Sequence, residues 1–265
     1  MTYPISVFIM DVSNSSEEDI GTELSNYLHQ LEKTIANWTK DIALTQVTHR
    51  AGDEIVVVSN GYATAFTLAL YIRQIWPFEN HQPYFGLSFG DIQEDVSSLN
   101  IETWIHPFMK QARHANDILK QQAQNRDAFK FELVRFINDK SFEGYHIFRS
   151  QFETLLNRLL TLQQNLINEQ TEIQSLICSL HFILNQQKKI GSYLGRSAST
   201  VSSHMKKGKC ELIRSTFEDI VKVLNALQSK STYDQQLINN QLQQNIQRIV
   251  GHQLTDYFLI DEEWR

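Results

Sequence analysis

Cysteine is nearly missing from these 265 residues: only Cys178 and Cys210 occur, in no CxxC pair and beside no histidine cluster. That excludes a disulfide scaffold and a zinc framework, and it fits a reducing cytosol. Long apolar runs are also lacking. No window approaches the roughly 18 apolar residues of a membrane span, and the N-terminus MTYPISVFIMDV has no basic stretch before its apolar run. The expectation is a soluble, unexported, cytoplasmic protein without a membrane partner. HExxH, a Walker loop, GxSxG and the Rossmann glycine fingerprint are all absent, which leaves hydrolase and dehydrogenase chemistry without support. Basic charge is scarce at the front: residues 1–95 hold 13 acids against four Lys or Arg. An acidic half of this kind repels nucleic acid.

What is present reads as an ordered series of elements in a chain long enough to bury a core without staples. Ile5 to Val12 is a continuous apolar run, as in a central strand buried on both faces, with Asp11 at its carboxyl end. After SNSSEED, where Ser15 or Ser16 can cap a helix, apolar residues recur at helical spacing from Ile20 to Trp38. IALTQVTH and EIVVVSN follow as hairpin strands. YATAFTLALYIRQIW is a second helix stopped by Pro77, and PYFGLSFGDI is a strand. The order β-α-β-β-α-β predicts an α+β fold of ferredoxin-like type, an antiparallel sheet with helices on one face. Beyond it, residues 101–122 read as a helix interrupted near Pro107, and AFKFELVRFI as an edge strand. Two amphipathic helices meet near NEQTE, and the Gln-rich C-terminal stretch keeps an apolar stripe through Leu237, Leu242, Ile246, Ile249 and Leu254. That stripe suits a packing or dimerisation helix, so a homodimer is expected. The predicted parts are 1–140, 141–184, 185–230 and 231–265.

The hairpin tip carries Asp53 and Glu54 side by side, where turn chemistry alone needs only Asn-Gly or Asp-Gly. The strand order places Asp11 beside that tip. Two readings stand. Asp11 and Asp53 can supply hard oxygen ligands to Mg2+ or Mn2+, with a nucleotide's phosphates completing the shell and the amides around Ser13, Ser15 and Ser16 receiving phosphate. Alternatively, Asp11 caps the next helix and Asp53-Glu54 is a solvated turn.

Charge reverses from Leu184 to Arg214, where seven bases face Glu211 alone. Within this segment Gly191, Gly195 and Val201 keep the offsets of a helix-turn-helix: a small residue where two helices touch, a turn glycine, and an aliphatic under the second helix. Ile190, Leu194 and Met205 complete its core. Ser197 is placed to cap the recognition helix, which presents Ser199, Thr200, Ser203 and His204. Arg196, Lys206, Lys207 and Lys209 are candidate phosphate contacts to duplex DNA. A helical hairpin with solvated lysines is the competing reading. Cys210 reads as a small buried residue rather than a redox switch, because no resolving partner is near it in sequence.

RAGDEIVVV resembles the GGDEF signature of diguanylate cyclases, and the strand order is similar to the palm of class III nucleotidyl cyclases. The resemblance implies metal-binding roles for Asp11 and Asp53. It departs at Ala51, where the signature has glycine, and in QARHA, which matches the cyclase Asn-x-Ala-Ala-Arg helix only at Ala112 and Arg113. Arg113 is thereby a candidate nucleotide contact. Met109 stands where the catalytic asparagine would be. With FIMDV, RAGDEIVVV, MKQARHA and IGSYLGRSASTVSSHMKKG in that order, the whole chain resembles the SatD family, which pairs a cyclase-like domain with a DNA-binding tail. The resemblance implies a cytosolic DNA-binding regulator whose cyclase-like part is degenerate and sensory. An active Mg-dependent nucleotidyl cyclase and a non-enzymatic dimerisation scaffold are the alternatives.

Overall fold

The structure of the chain is a computed structural model that describes residues 2–14, 20–50, 52–122, 126–136, 148–228 and 232–258. Ser15, Ser16 and the tail 259–265 lie outside the described residues. Strand β1 (Tyr3–Val12) is buried from Pro4 onward, as its unbroken apolar run requires of a central strand. It pairs antiparallel with β3 (Glu54–Asn60) on one side and with β4 (Pro83–Ile92) on the other, so that Ile9 lies opposite both Val56 and Gly86. Strand β2 (Thr45–Arg50) flanks β3 antiparallel, and β5 (Phe129–Phe131) flanks β4 parallel. The sheet order is β2-β3-β1-β4-β5, a mixed sheet. Because β3 opposes both neighbours, β1 and β2 run the same way with β3 between them, and helix α1 (Gly21–Thr39) makes the return.

Alternation along β1 sorts its side chains onto two faces. Phe8, Met10 and Val12 join the core formed with α1 and α2 (Thr64–Gln74), while Ile5, Val7 and Ile9 join a second core. That second core is closed by α3 (Pro107–Lys120) and a short 3-10 turn at Val96–Ser98. Helices therefore cover both faces of this α+β fold, where the strand order alone suggested one. The reason lies in β4, whose residues on that face include Gly86 and Gly90. A Cβ on Gly86 would stand 2.0 Å from the Ala112 carbonyl oxygen, and one on Gly90 2.0 Å from the Phe108 ring. Bare backbone is what admits α3, and Asn116 anchors it by donating to the Ile9 carbonyl at 3.0 Å. Pro107 starts α3 instead of interrupting it: proline suits the first helical turn, and the His106 ring caps it by accepting from the Phe108 amide at 3.3 Å.

The remaining chain is helical: α4 (Arg149–Asn168), α5 (Glu172–Leu184), α6 (Gln187–Leu194), α7 (Ala198–Lys207), α8 (Cys210–Ala226), α9 (Thr232–His252) and the single turn α10 (Leu254–Tyr257). Helix α2 is buried on every side from Thr64 to Ile72, because the sheet takes one face and α5 and α9 take the other. The core is continuous from Phe8 through Leu160 and Phe182 to Ile246. In α9, Leu242, Ile246 and Val250 are fully buried against α1, α2, α5 and α8. Its amides are used too: Asn239 accepts from the Thr67 hydroxyl at 2.7 Å, and Gln247 donates to the Tyr71 hydroxyl at 3.1 Å and the Phe182 carbonyl at 2.9 Å. Of the stripe read as a packing or dimerisation surface, Leu242 and Ile246 are thus packed within the chain and Ile249 and Leu254 are partly covered, while Leu237 stays 46 % exposed. Among the described residues no helix is long and apolar enough to cross a membrane.

Candidate functional site

The end of β1 and the tip of the β2–β3 hairpin meet under the outer edge of α3. Asp11 is 8 % exposed. Its Oδ1 accepts from the Val12 amide at 3.0 Å, and its Oδ2 lies 3.3 Å from the Lys120 ammonium. The Asp53 carboxyl is its neighbour: burial first, then the hydrogen bond and negative charge of Asp53, push the Asp11 carboxyl up to about 6, against the pull of Lys120. Tyr84 stands beside Asp11, and burial next to that acid raises the phenol above its ordinary range. The Arg126 guanidinium covers the Tyr84 ring at 4.5 Å. Asp11 and Asp53 are therefore brought together across 42 residues of sequence.

Glu54 has a different job from its neighbour. Arg113 of α3 grips it through two hydrogen bonds, at 2.6 and 2.9 Å, and Arg50, its cross-strand partner, adds a third at 3.2 Å. The Glu54 side chain is 17 % exposed, so the trio pins the hairpin tip to α3. Arg113, expected at a nucleotide, has its fork on Glu54, which raises the guanidinium pKa further. Met109 is buried against the sheet. The Ser13 amide, expected at phosphate, donates to the Gln82 carbonyl at 3.0 Å.

A cavity of about 900 Å3 opens beyond Ser13 and Tyr84, walled by Arg126, Arg73 and Cys178 among others. Two neighbouring, partly desolvated carboxylates are donors that suit a hard divalent cation. Among the described residues no group of three or more His, Cys, Asp or Glu is placed to hold a metal ion. A cation here would take Asp11 and Asp53 and draw its other oxygens from phosphate and water. Lys120 and Tyr84 are members of this site that residue type alone did not reveal. The signal for Lys120 was available in its spacing, because Arg113, Asp117 and Lys120 recur at helical intervals opposite the apolar stripe of α3.

The basic segment forms α6 and α7, joined by a three-residue turn. Gly195 holds φ 62, in the left-handed region that favours glycine. Gly191 must be small, since a Cβ there would stand 2.6 Å from the Arg196 carbonyl oxygen. Ser197 caps α7, accepting from the Thr200 amide at 3.1 Å, and its hydroxyl also meets those of Ser199 and Thr200 at 2.8 and 2.9 Å. Ile190, Leu194, Val201 and Met205 are buried beneath. Arg196, Ser199, Thr200, Ser203, Lys206 and Lys207 are exposed, and so is Ser202, which nothing in its type separates from Ser203. Lys209 is exposed but ion-paired with Glu169 at 2.9 Å. His204 is only half-exposed, with its Nδ1 buried, so its ring leans towards the core.

Compared with known proteins, the chain matches no family model, no curated protein and no solved structure.

The raised Asp11 pKa makes a testable stability claim. With a folded pKa of about 6 against an ordinary 3.8, the folded state keeps a proton that the unfolded chain releases between those values. Stability is therefore lost as pH rises from about 4 to 6, and the loss is constant above that window. Asp11→Asn removes the penalty. In urea titrations the variant should be more stable than the natural protein by on the order of 2 to 3 kcal/mol at pH 8, with no difference near pH 3.5. Equal stability at both pH values would mean that Asp11 ionises as freely folded as unfolded.

Proposed function

We propose that the chain is a DNA-binding regulator in which α6 and α7 form a helix-turn-helix that reads duplex DNA. The sheet with α1, α2 and α3 is then a ferredoxin-like, cyclase-like palm that senses a nucleotide without turning it over. One observation carries the DNA reading. Helix α7 seats Val201 and Met205 on α5, α6 and α8 while leaving a face of short hydroxyl side chains, followed by two lysines, free of the core. Short polar groups at the start of such a helix suit base edges, and cations at its flanks suit phosphates. The palm reading is supported by β1 and β2 running parallel around β3, the arrangement of a split βαβ unit. The order of motifs, from the β1 acid to the basic helix pair, is also what the SatD resemblance rests on. A sensory palm is favoured over a catalytic one because Arg113 is held by Glu54, Lys120 is paired with Asp11, and Met109 is buried.

Gel-shift titrations over a range of salt test the DNA reading. Replacing Lys206 and Lys207 by Ala should weaken binding to every duplex and flatten the log–log salt dependence by about one unit per lost phosphate contact. Ser203→Ala should instead cost about 1 to 3 kcal/mol on a preferred sequence and little on random DNA. No retention of any duplex at low salt, or an unchanged salt slope, would turn the basic helix pair into a protein-contact surface and the molecule into a scaffold.

The second reading, an active Mg-dependent nucleotidyl cyclase, is favoured by the meeting of Asp11 and Asp53. Under the sensory reading, calorimetry with ATP or GTP and Mg2+ should detect binding that the Asp11→Asn/Asp53→Asn variant loses, and chromatography of the natural protein should find no cyclic product. A cyclic product would establish the cyclase instead. Binding that survives the double substitution would leave both acids as turn residues.

Reading two DNA half-sites calls for a homodimer. Helix α4 offers the surface: Leu155, Leu159 and Leu162 are 63, 45 and 54 % exposed, at the four-then-three spacing of a coiled-coil seam. The adjoining face, with Leu156 and Leu160, is buried in the chain's own core. Light scattering should return twice the 30.8 kDa chain mass, falling to one chain in Leu159→Glu/Leu162→Glu. A single-chain mass for the natural protein would remove the dimer.

A further inference from the structure

Cys178 and Cys210 are the chain's two cysteines, and both are buried and free. Residue order sets them 32 apart, yet α5 and α8 pack together and bring the two thiols beside one another, close enough for each to shift the other's pKa. The Cys210 Sγ also stands 4.0 Å from the Gln174 carbonyl, one turn before Cys178 on α5. The resolving partner that Cys210 lacks in sequence is thus supplied by packing. Cys178, 4 % exposed, lines the 900 Å3 cavity, whereas Cys210 is 0 % exposed and is not part of that wall.

The corner between α7 and α8 rests on the first turn of α5 and on the α4–α5 turn before it. Gln170 Nε2 donates to the Gly208 carbonyl at 2.5 Å, Lys209 pairs with Glu169, and a Cβ on Gly208 would stand 2.9 Å from that of Gln174. Lys206 and Lys207 immediately precede this corner. A covalent S–S bond is about 2.05 Å long, much shorter than any non-bonded contact between two thiols, so forming it draws the first turn of α8 onto α5.

We propose that Cys178 and Cys210 are an oxidisable pair, converted by a hydroperoxide entering the cavity into a disulfide that joins α5 to α8 and weakens the hold of α7 on DNA. The disulfide stands on the packing of the thiols alone, and its effect on α7 rests on the DNA reading above. In the first step the Cys178 sulfur attacks one peroxide oxygen. The O–O bond breaks, an S–O bond forms, and the leaving oxygen takes the thiol proton to depart as water or alcohol. In the second step the Cys210 sulfur attacks the Cys178 sulfenic sulfur. The S–S bond forms as the S–O bond breaks, and the hydroxyl leaves as water with the Cys210 proton. Two thiols lose one electron each and the peroxide gains both. The contact with Cys210 pulls the Cys178 thiol below its ordinary pKa, while that same contact and then burial raise Cys210. Attacking and resolving roles follow.

The full chain, treated with hydrogen peroxide, alkylated and digested without reductant, tests the pair. The expected map contains one cross-linked peptide joining Cys178 to Cys210, with both thiols lost together and both restored by a dithiol reductant. Cys210→Ser should accumulate a sulfenic acid on Cys178 that a cyclic diketone traps. Thiols that persist in the natural protein, or Cys178 advancing to the sulfinic acid with Cys210 still free, overturn the proposal without recourse to any variant. Duplex affinity measured on the same samples separates the second claim. Oxidised protein should bind about tenfold more weakly, the usual scale of coupling between sites, and peroxide-treated Cys178→Ser should not. Equal affinity in both redox states overturns the coupling. A reduced protein that binds no duplex overturns the DNA reading, and the peptide map then judges the disulfide by itself.

Discussion

The aromatic contacts around α2 are what the rest of the molecule depends on. Phe66 touches Phe129 and Phe131 of the outermost strand at 5.6 and 5.8 Å, and Phe217 of α8 at 5.6 Å. Five residues further along, Tyr71 meets Phe182 of α5 and Phe217 at 6.4 and 6.3 Å. Burying one such side chain is worth about 1.5 to 3 kcal/mol, and well-oriented ring pairs add about 0.5 to 1.5. One helix thereby joins the sheet to the helical bundle. Without it, β5 keeps its pairing with β4 and its bonds to Asn157 of α4 but loses its packing on Phe66, and α5 and α8 lose the floor on which α7 and the cysteine pair are assembled.

On the far face of the sheet the constraint is electrostatic. The outer edge of α3 carries Arg113 and Lys120, and each meets an acid that the strands deliver: Glu54 from the hairpin tip and Asp11 from the end of β1. The two pairs differ in kind. Glu54 is gripped by two guanidinium groups, a geometry that fixes position. Asp11 has one ammonium, itself 64 % exposed in its side chain, and a second carboxyl pressing on it. Asp11 is therefore held in a state of unrelieved charge at neutral pH, which a cation could relieve and which Glu54 does not share.

The distance between these two regions gives the molecule its plan. Tyr84, the neighbour of Asp11, and Cys178 both line the same cavity. From Cys178 the packing runs to Cys210, the α7–α8 corner and the basic face of α7.

Much of the secondary structure was legible in residue order. The apolar run of β1, the hairpin with its acidic tip, the bounds of β4, and the turn glycine, cap and buried aliphatics of α6 and α7 are local matters of pattern, propensity and turn chemistry, and they form as residue type dictates. The meeting of Asp11 with Asp53 was legible one step further, because strand order alone brings them to one edge. Tertiary structure decided the rest, since it depends on which surfaces pack rather than on what each segment prefers. Only packing put α3 on the second face of the sheet, against glycines whose missing side chains are silent in any periodicity. It also engaged Arg113 with Glu54, turned His204 inward, and buried Leu242 and Ile246 of the α9 stripe inside the chain. The two cysteines, 32 residues apart, became neighbours for the same reason: contact between α5 and α8 is set by a shared core, and no local signal along the chain records it.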